Sequence, residues 1–182
     1  MNELLAFLSG SAVLLWLSRH ALRLPGRHGF YRFFAWEGIL GLIVLNHEPW
    51  GNQPFSPHQI TSWILMVTSI LLVQQGMTQL QSDGKAGEAR TDPALYEFER
   101  TTALVTSGIY GYIRHPMYAS LLALAWGAFF QAPSWAGTAV AALTSFFLLL
   151  TAKADERECL AFFGQDYAEY MAKTRRFVPY LF

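Results

Sequence analysis

The stretch SGIYGYIRHPMY (residues 107–118) places a cation and an imidazole directly before an apolar run. Arg114 and His115 precede Pro116, and proline is well tolerated at the first position of a helix. A helix N-terminus presents free N–H groups and a partial positive charge, which favour an anionic ligand group. Arg114 and His115 add donors at the same place. The pattern therefore predicts a binding site for an anionic group, such as a carboxylate.

Three tyrosines surround this corner: Tyr110, Tyr112 and Tyr118. Their rings offer flat apolar faces with polar tips, which suit an aromatic base or a cationic centre. S-adenosylmethionine carries a carboxylate, a cation and an aromatic base. ATP fits less well, because the chain has no glycine-rich phosphate loop. Alternatively, Arg114 snorkels to lipid headgroups and the tyrosines form an interfacial belt. His115 is the residue that this alternative explains least well.

A second cluster, TAKADERE (residues 151–158), follows the last apolar segment and places Asp155, Glu156 and Glu158 within about one helical turn. A carboxylate here can hold the ammonium group or the ribose hydroxyls of a cofactor. The alternative is a solvated stretch of helix in which Lys153 and Arg157 neutralise the acidic residues.

Glu37 is the third candidate, because an ionisable residue inside an apolar segment is costly unless it is paired or functional. It either contacts a substrate or bonds to a neighbouring helix. The histidines have no metal-ligand spacing such as His-x-x-x-His, so we expect no metal site. The single cysteine, Cys159, excludes an intramolecular disulfide and a thiolate metal cluster.

The composition places these residues in a membrane protein. Hydrophobic residues make up 53% and charged residues 14% of the 182, against roughly a quarter charged in soluble domains. A net charge of zero argues against nucleic acid as a partner. The first apolar run is followed, not preceded, by basic residues, which predicts an uncleaved anchor rather than a signal peptide.

Five apolar segments predict an all-α integral membrane bundle of about five transmembrane helices, in a single domain covering residues 1–182. The segments are 3–18, 31–49, 59–80, 116–131 and 134–152. If all five span, the 13 basic residues fall on one side, as the positive-inside tendency requires. We therefore expect the N-terminus outside, and a connection (81–115) and a helical C-terminal tail (153–182) in the cytoplasm.

The second half of the chain resembles the isoprenylcysteine carboxyl methyltransferase family, in a short bacterial-type form. The resemblance lies in LVTSGIYGYIRHPMY (residues 104–118), a two-segment hairpin, the acidic pair and FFGQDYAEYMAKTRRFVP (residues 162–179). It implies methyl transfer from S-adenosylmethionine, bound on the cytoplasmic side of what we expect to be a bacterial inner membrane.

The resemblance also implies roles for individual residues. The acidic contact to the cofactor falls to Glu156, or otherwise to Asp155, and His115 and Glu156 are the candidates for catalysis. The resemblance implies that Leu104 and Val105 contact the cofactor through their backbone and that Tyr110 flanks it. The wall of the pocket is then formed by His115, Pro116, Met117 and Tyr118. Apart from the resemblance, Glu37 and Arg114 are candidates for contacts with the substrate.

The acceptor stays open at this point. Family members that act on prenylcysteine carry an arginine about one turn before the glutamate, where this chain has Thr151 and Ala152. We expect a small or lipophilic acceptor whose methylated group is a carboxylate, thiol or amine, and we expect the protein itself to contact lipids. The sequence leaves the oligomeric state open. The alternatives are a membrane reductase of the sterol type, which uses a nicotinamide cofactor, and a non-catalytic membrane protein with a residual pocket.

Overall fold

The computed structural model describes residues 2–48, 50–85 and 100–180, and the regular structure in these ranges is helical. This confirms the predicted all-α class. Two short 3-10 turns precede α2 and α4, and Ile113 and Arg175 form an isolated β-bridge. The α-helices of the described ranges are α1 (Asn2–Ser18), α2 (His28–Leu45), α3 (Pro57–Asp83), α4 (Pro116–Gln131), α5 (Trp135–Phe163) and α6 (Gln165–Lys173).

Local signals explain where these helices begin and end. Proline occupies the first turn of α3 and of α4, where its missing N–H costs nothing. The Ser134 hydroxyl accepts a hydrogen bond from the Gly137 N–H and so caps α5. α4 has the predicted bounds, whereas α5 continues well past residue 152 into the predicted tail. It ends at Gly164, whose φ of +61° allows the chain to turn into α6.

The bundle is built from two helix pairs, α3 with α4 and α2 with α5, and α1 packs on α2. Small residues let the helices approach closely: Ala125, Ala128 and Ala141 are fully buried in one core cluster. The two helices also pack closely at Gly38 of α2, where an added Cβ would lie 2.1 Å from the Thr144 hydroxyl oxygen of α5. That hydroxyl is held in place by its hydrogen bond to the Val140 carbonyl.

Gly38→Ala is therefore expected to push α2 away from α5 and to lower the free energy of unfolding by about 1–3 kcal/mol, the usual cost of overpacking. Thermal unfolding of the full chain in detergent measures this change. Combining Gly38→Ala with Thr144→Ala removes the obstructing hydroxyl and should restore part of the loss. Equal melting temperatures for Gly38→Ala and the parent chain would contradict this packing.

Two of the helices, α3 and α5, are long and apolar enough to cross a membrane, and α1 is a shorter apolar helix. Their outward surfaces are apolar as well: Ile64 and Ile70 of α3 and Phe146 of α5 are each more than half exposed. Large apolar surfaces of this kind are typical of membrane or interaction sites. We call the end of the bundle where α3 ends and α2 and α4 begin the basic end, because basic residues cluster there.

Candidate active site

The C-terminal tail returns to the Arg-His-Pro corner and fixes its backbone. The Arg114 N–H donates to the Arg175 carbonyl at 2.8 Å, and the His115 N–H donates to the Arg176 carbonyl at 3.2 Å. The Arg175 N–H in turn donates to the Tyr112 carbonyl. These bonds form a strand-like strap along the corner, so the tail and the start of α4 act as one unit.

Glu156 lies at the centre of a buried ion network beneath this strap. Its Oε1 accepts from the Arg114 guanidinium at 2.9 Å, and its Oε2 accepts from Arg176 at 2.7 Å. Only 4% of Glu156 is exposed. Arg114 also donates to the backbone carbonyls of Met171 and Thr174. Both side chains are thus engaged in holding α4, α5 and the tail together.

His115 precedes the first residue of α4 and faces both acidic residues. Its Nδ1 lies 3.5 Å from Asp155 Oδ2, its Nε2 lies 3.4 Å from Glu156 Oε1, and its ring stacks on Tyr118. Burial lowers the pKa of His115, but the carboxylates of Asp155 and Glu156 raise it by more, so the net shift is above the ordinary 6.5. The fold therefore favours the imidazolium form.

This shift predicts a pH dependence of stability. Because the pKa of His115 is higher in the folded chain than in the unfolded chain, its stabilising contribution is complete below pH 6.5 and is lost as the pH rises through the folded value. Melting temperatures of the parent chain and of His115→Asn are measured from below pH 6.5 upwards. The two melting temperatures should converge as the pH rises. A constant difference between the two chains at every pH would contradict the prediction.

The Arg-His-Pro corner and the acidic stretch line the same cavity at the basic end. Its volume is about 210 Å³, somewhat below the roughly 300–1,000 Å³ of typical small-molecule sites. Asp155 lines this cavity, whereas Glu156 and Glu37 do not. The other implied residues that line it are Leu104, Val105, Tyr110, Arg114, His115, Pro116, Met117 and Tyr118.

Glu37 lies elsewhere in the bundle and contacts α1. Its Oε2 accepts a hydrogen bond from the Ser11 hydroxyl at 2.6 Å. Its Oε1 is buried without a hydrogen bond among the described residues. The sequence left two roles open for Glu37, contact with a substrate or a bond to a neighbouring helix. The structure contains the bond to a neighbouring helix.

The cavity also contains residues that the sequence did not indicate as site residues. Arg32 and Trp36 enter from α2, and Cys159 lies one turn after Asp155 on α5. Tyr167 and Tyr170 of α6 line another side of the cavity. The sequence signal that could have indicated them is their helical spacing in the tail. Burial raises the pKa of both phenols, so neither is a base at neutral pH.

A bundle of apolar helices around a cavity that combines an acidic group, a helix N-terminus and aromatic faces defines a helical membrane protein with a small-molecule site. The family described as phospholipid methyltransferase matches residues 58–165, more than half of the chain, and the chain belongs to that family. This family includes membrane methyltransferases like those that the motifs resemble, so the predicted membrane methyltransferase class is confirmed. No curated protein and no solved structure shows significant similarity to the chain.

Proposed function

We propose that the chain transfers a methyl group from S-adenosylmethionine to a small or lipophilic acceptor at the cytoplasmic face of the membrane. One observation carries this proposal: the Arg-His-Pro corner and Asp155, far apart in sequence, line a single cavity. The family match supports methyl transfer as the chemistry. The cofactor, when bound, supplies an electrophilic methyl group on a positively charged sulfur.

The cavity contains complementary groups for each part of this cofactor. Asp155 is the acidic residue at its wall and suits the ammonium group or the ribose hydroxyls. The first turn of α4 has no side-chain cap, so its N–H groups suit the carboxylate. We assign backbone contacts with the cofactor to Leu104 and Val105, which line the same cavity. The other contacts are assigned to the remaining lining residues that the resemblance implies: Tyr110, His115, Pro116, Met117 and Tyr118.

Glu156 takes a different role in this proposal. Because it is paired with Arg114 and Arg176 beneath the cavity, we assign it to positioning the corner rather than to contacting the cofactor. His115 lies between the two carboxylates and positions Asp155. Methyl transfer needs mainly alignment and exclusion of water. A carboxylate acceptor needs no base; for an amine or thiol acceptor, we assign the base to His115 or Asp155, which both line the cavity.

We further propose that α1 to α5 all cross the membrane, with the basic end in the cytoplasm. Alternating spans place all 13 basic residues on that side, in agreement with the positive-inside tendency. The cavity then opens at the cytoplasmic boundary, where the polar cofactor arrives from water and a lipophilic acceptor arrives from the bilayer.

Binding of S-adenosylhomocysteine to the full chain in dodecyl maltoside, measured by calorimetry, tests the cofactor assignment. We expect saturable binding in the micromolar range. NADPH serves as the comparison ligand and should not bind. No heat of binding with S-adenosylhomocysteine at high micromolar concentration would reject the proposal, and binding of NADPH instead would support the reductase alternative.

A further inference from the structure

Residues 101–110 form one wall of the cavity, and we call this stretch the wall segment. Its residues that line the cavity are Thr101, Ala103, Leu104, Val105 and Tyr110. Leu104 and Val105 are the two to which we assign backbone contacts with the cofactor. The volume of the cavity, about 210 Å³, is somewhat below that of typical small-molecule sites. A ligand that contains a nucleoside therefore requires one wall to move before it can enter.

An exposed polar cluster, which we call the latch, fastens the wall segment to the end of α3. The Ser107 hydroxyl donates a hydrogen bond to Asp83 Oδ2 at 2.5 Å, and Gln79 Nε2 donates to the Ser107 oxygen at 2.8 Å. Gly108 allows this close approach, because its φ is +57° and an added Cβ would lie 2.5 Å from Gln79 Oε1. Ser107 and Asp83 are both exposed, so water can replace either partner.

Two further attachments of the wall segment are buried. The Tyr170 hydroxyl of α6 donates to the Tyr110 carbonyl at 2.7 Å, and both residues are 7% exposed. The Thr102 and Ala103 N–H groups donate to the carbonyl of Gly84, which is buried. Breaking a buried hydrogen bond leaves its groups without partners, whereas water takes over the partners of an exposed one. Of these attachments, the latch is therefore the one that opens at the lowest cost.

We infer that the wall segment is a gate for the cofactor, held closed by the hydrogen bond between Ser107 and Asp83. This inference rests on the proposed function. When the latch opens, the wall segment can move about its buried attachments and widen the cavity. Entry and release of the cofactor both pass through the open form, so the strength of the latch sets the rate of exchange rather than the affinity.

Ser107→Ala removes the hydroxyl and so weakens the latch. We expect the full chain in dodecyl maltoside to release radiolabelled S-adenosylhomocysteine about 3- to 10-fold faster, the effect of losing one hydrogen bond. The affinity measured by calorimetry should stay within about twofold of the parent value, because the closed form remains the main one in both chains. A purely structural role would instead lower the affinity, because the backbone of Leu104 and Val105 would be displaced.

Matched variants separate the latch from the rest of the cluster. Ser107→Thr keeps the hydroxyl and should release the ligand within about twofold of the parent rate. Ser82→Ala removes a hydroxyl that donates to the other oxygen of Asp83 at 2.8 Å, within α3, and should also stay within about twofold. Asp83→Ala should act like Ser107→Ala. The double variant should be little faster than either single variant, because both substitutions remove the same hydrogen bond.

Cys159 reports the opening of the gate without any cofactor. It is the single cysteine of the chain, is 9% exposed and lines the cavity. Mass spectrometry measures its modification by N-ethylmaleimide, which should be about 3- to 10-fold faster in Ser107→Ala than in the parent chain, because the rate follows the population of the open form. Ser107→Thr and Ser82→Ala should react within about twofold of the parent rate.

An unchanged rate of release or of modification in Ser107→Ala overturns the inference. So does a loss of affinity as large as the gain in release rate, because Ser107 would then stabilise only the bound state. Faster modification that a lower melting temperature explains through unfolding also overturns it. If the parent chain does not bind S-adenosylhomocysteine, the proposed function fails, while the modification rates of Cys159 still decide whether the latch controls access to the cavity.

Discussion

Glu156→Gln is expected to destabilise the fold by about 3–5 kcal/mol, the usual cost of removing one partner from a buried ion pair. The substitution keeps the size of the side chain and removes its charge. Arg114 then loses its carboxylate while its side chain is only 8% exposed, and Arg176 loses a partner at 2.7 Å. A glutamine cannot compensate two guanidinium groups. The strap and the start of α4 should separate as a result.

Thermal unfolding in dodecyl maltoside measures this effect, with Glu169→Gln on the exposed face of α6 as the matched control. The control should change stability by less than about 0.5 kcal/mol. Adding Arg176→Gln to Glu156→Gln removes one of the two uncompensated cations and should recover part of the loss. A loss below about 1 kcal/mol for Glu156→Gln would show that the network contributes little, as exposed ion pairs do.

The difference between Glu156 and Asp155 is what the sequence could not resolve. Neighbouring residues on a helix point about 100° apart, and of this pair Asp155 lines the cavity whereas Glu156 does not. Which one does so depends on the rotation of α5, and that is set by its packing on α2 and α4. The tail contributes as well, because Arg176 approaches Glu156 only after the chain has passed α6 and turned back. The motif predicted where an acidic contact lies, but not which carboxylate makes it.

Other features followed from local chemistry and were predictable. Pro116 fixed the start of α4, because proline is favoured at the first position of a helix. Gly164 lies at the break between α5 and α6, because glycine adopts a positive φ at little cost. The extension of α5 past residue 152 was not predicted, since a membrane segment is recognised by apolar residues and a helix can continue into water. Arg32 and Trp36 were missed as site residues because they lie outside the recognisable motifs and reach the cavity only through the packing of α2.

The ion pairs of Glu156 and Asp155 differ, and this difference relates the stability of the fold to the candidate site. Glu156 is deeply buried and paired twice, whereas the Asp155 side chain is 21% exposed and lies at the cavity wall. A residue that binds a ligand must keep part of its hydrogen-bonding capacity for that ligand. We therefore propose different roles for the two adjacent carboxylates: Glu156 holds the corner in place, and Asp155 contacts the ligand. Substitutions at these two positions should consequently affect different measurements.

Asp155→Asn is expected to weaken binding of S-adenosylhomocysteine roughly 30- to 150-fold, which corresponds to about 2–3 kcal/mol for truncating one partner of a buried charged hydrogen bond. The substitution preserves shape and removes the charge that we assign to the ammonium or ribose hydroxyls of the cofactor. It should alter the melting temperature of the unliganded chain far less than Glu156→Gln does. Calorimetry with the full chain in dodecyl maltoside gives the affinity, and thermal unfolding gives the stability.

Asp166→Asn, on the exposed side of α6, removes the same charge away from the cavity and should leave the affinity within about twofold of the parent value. The comparison separates a direct contact from a general electrostatic effect, because Asp166 also attracts cations to the basic end but does not line the cavity. Equal losses of affinity in Asp155→Asn and Asp166→Asn would show that Asp155 acts only through its charge and not through a direct contact with the cofactor. Unchanged affinity in Asp155→Asn would instead remove it from the cofactor site and leave the helix N-terminus and the aromatic walls as the only recognition groups that we have assigned.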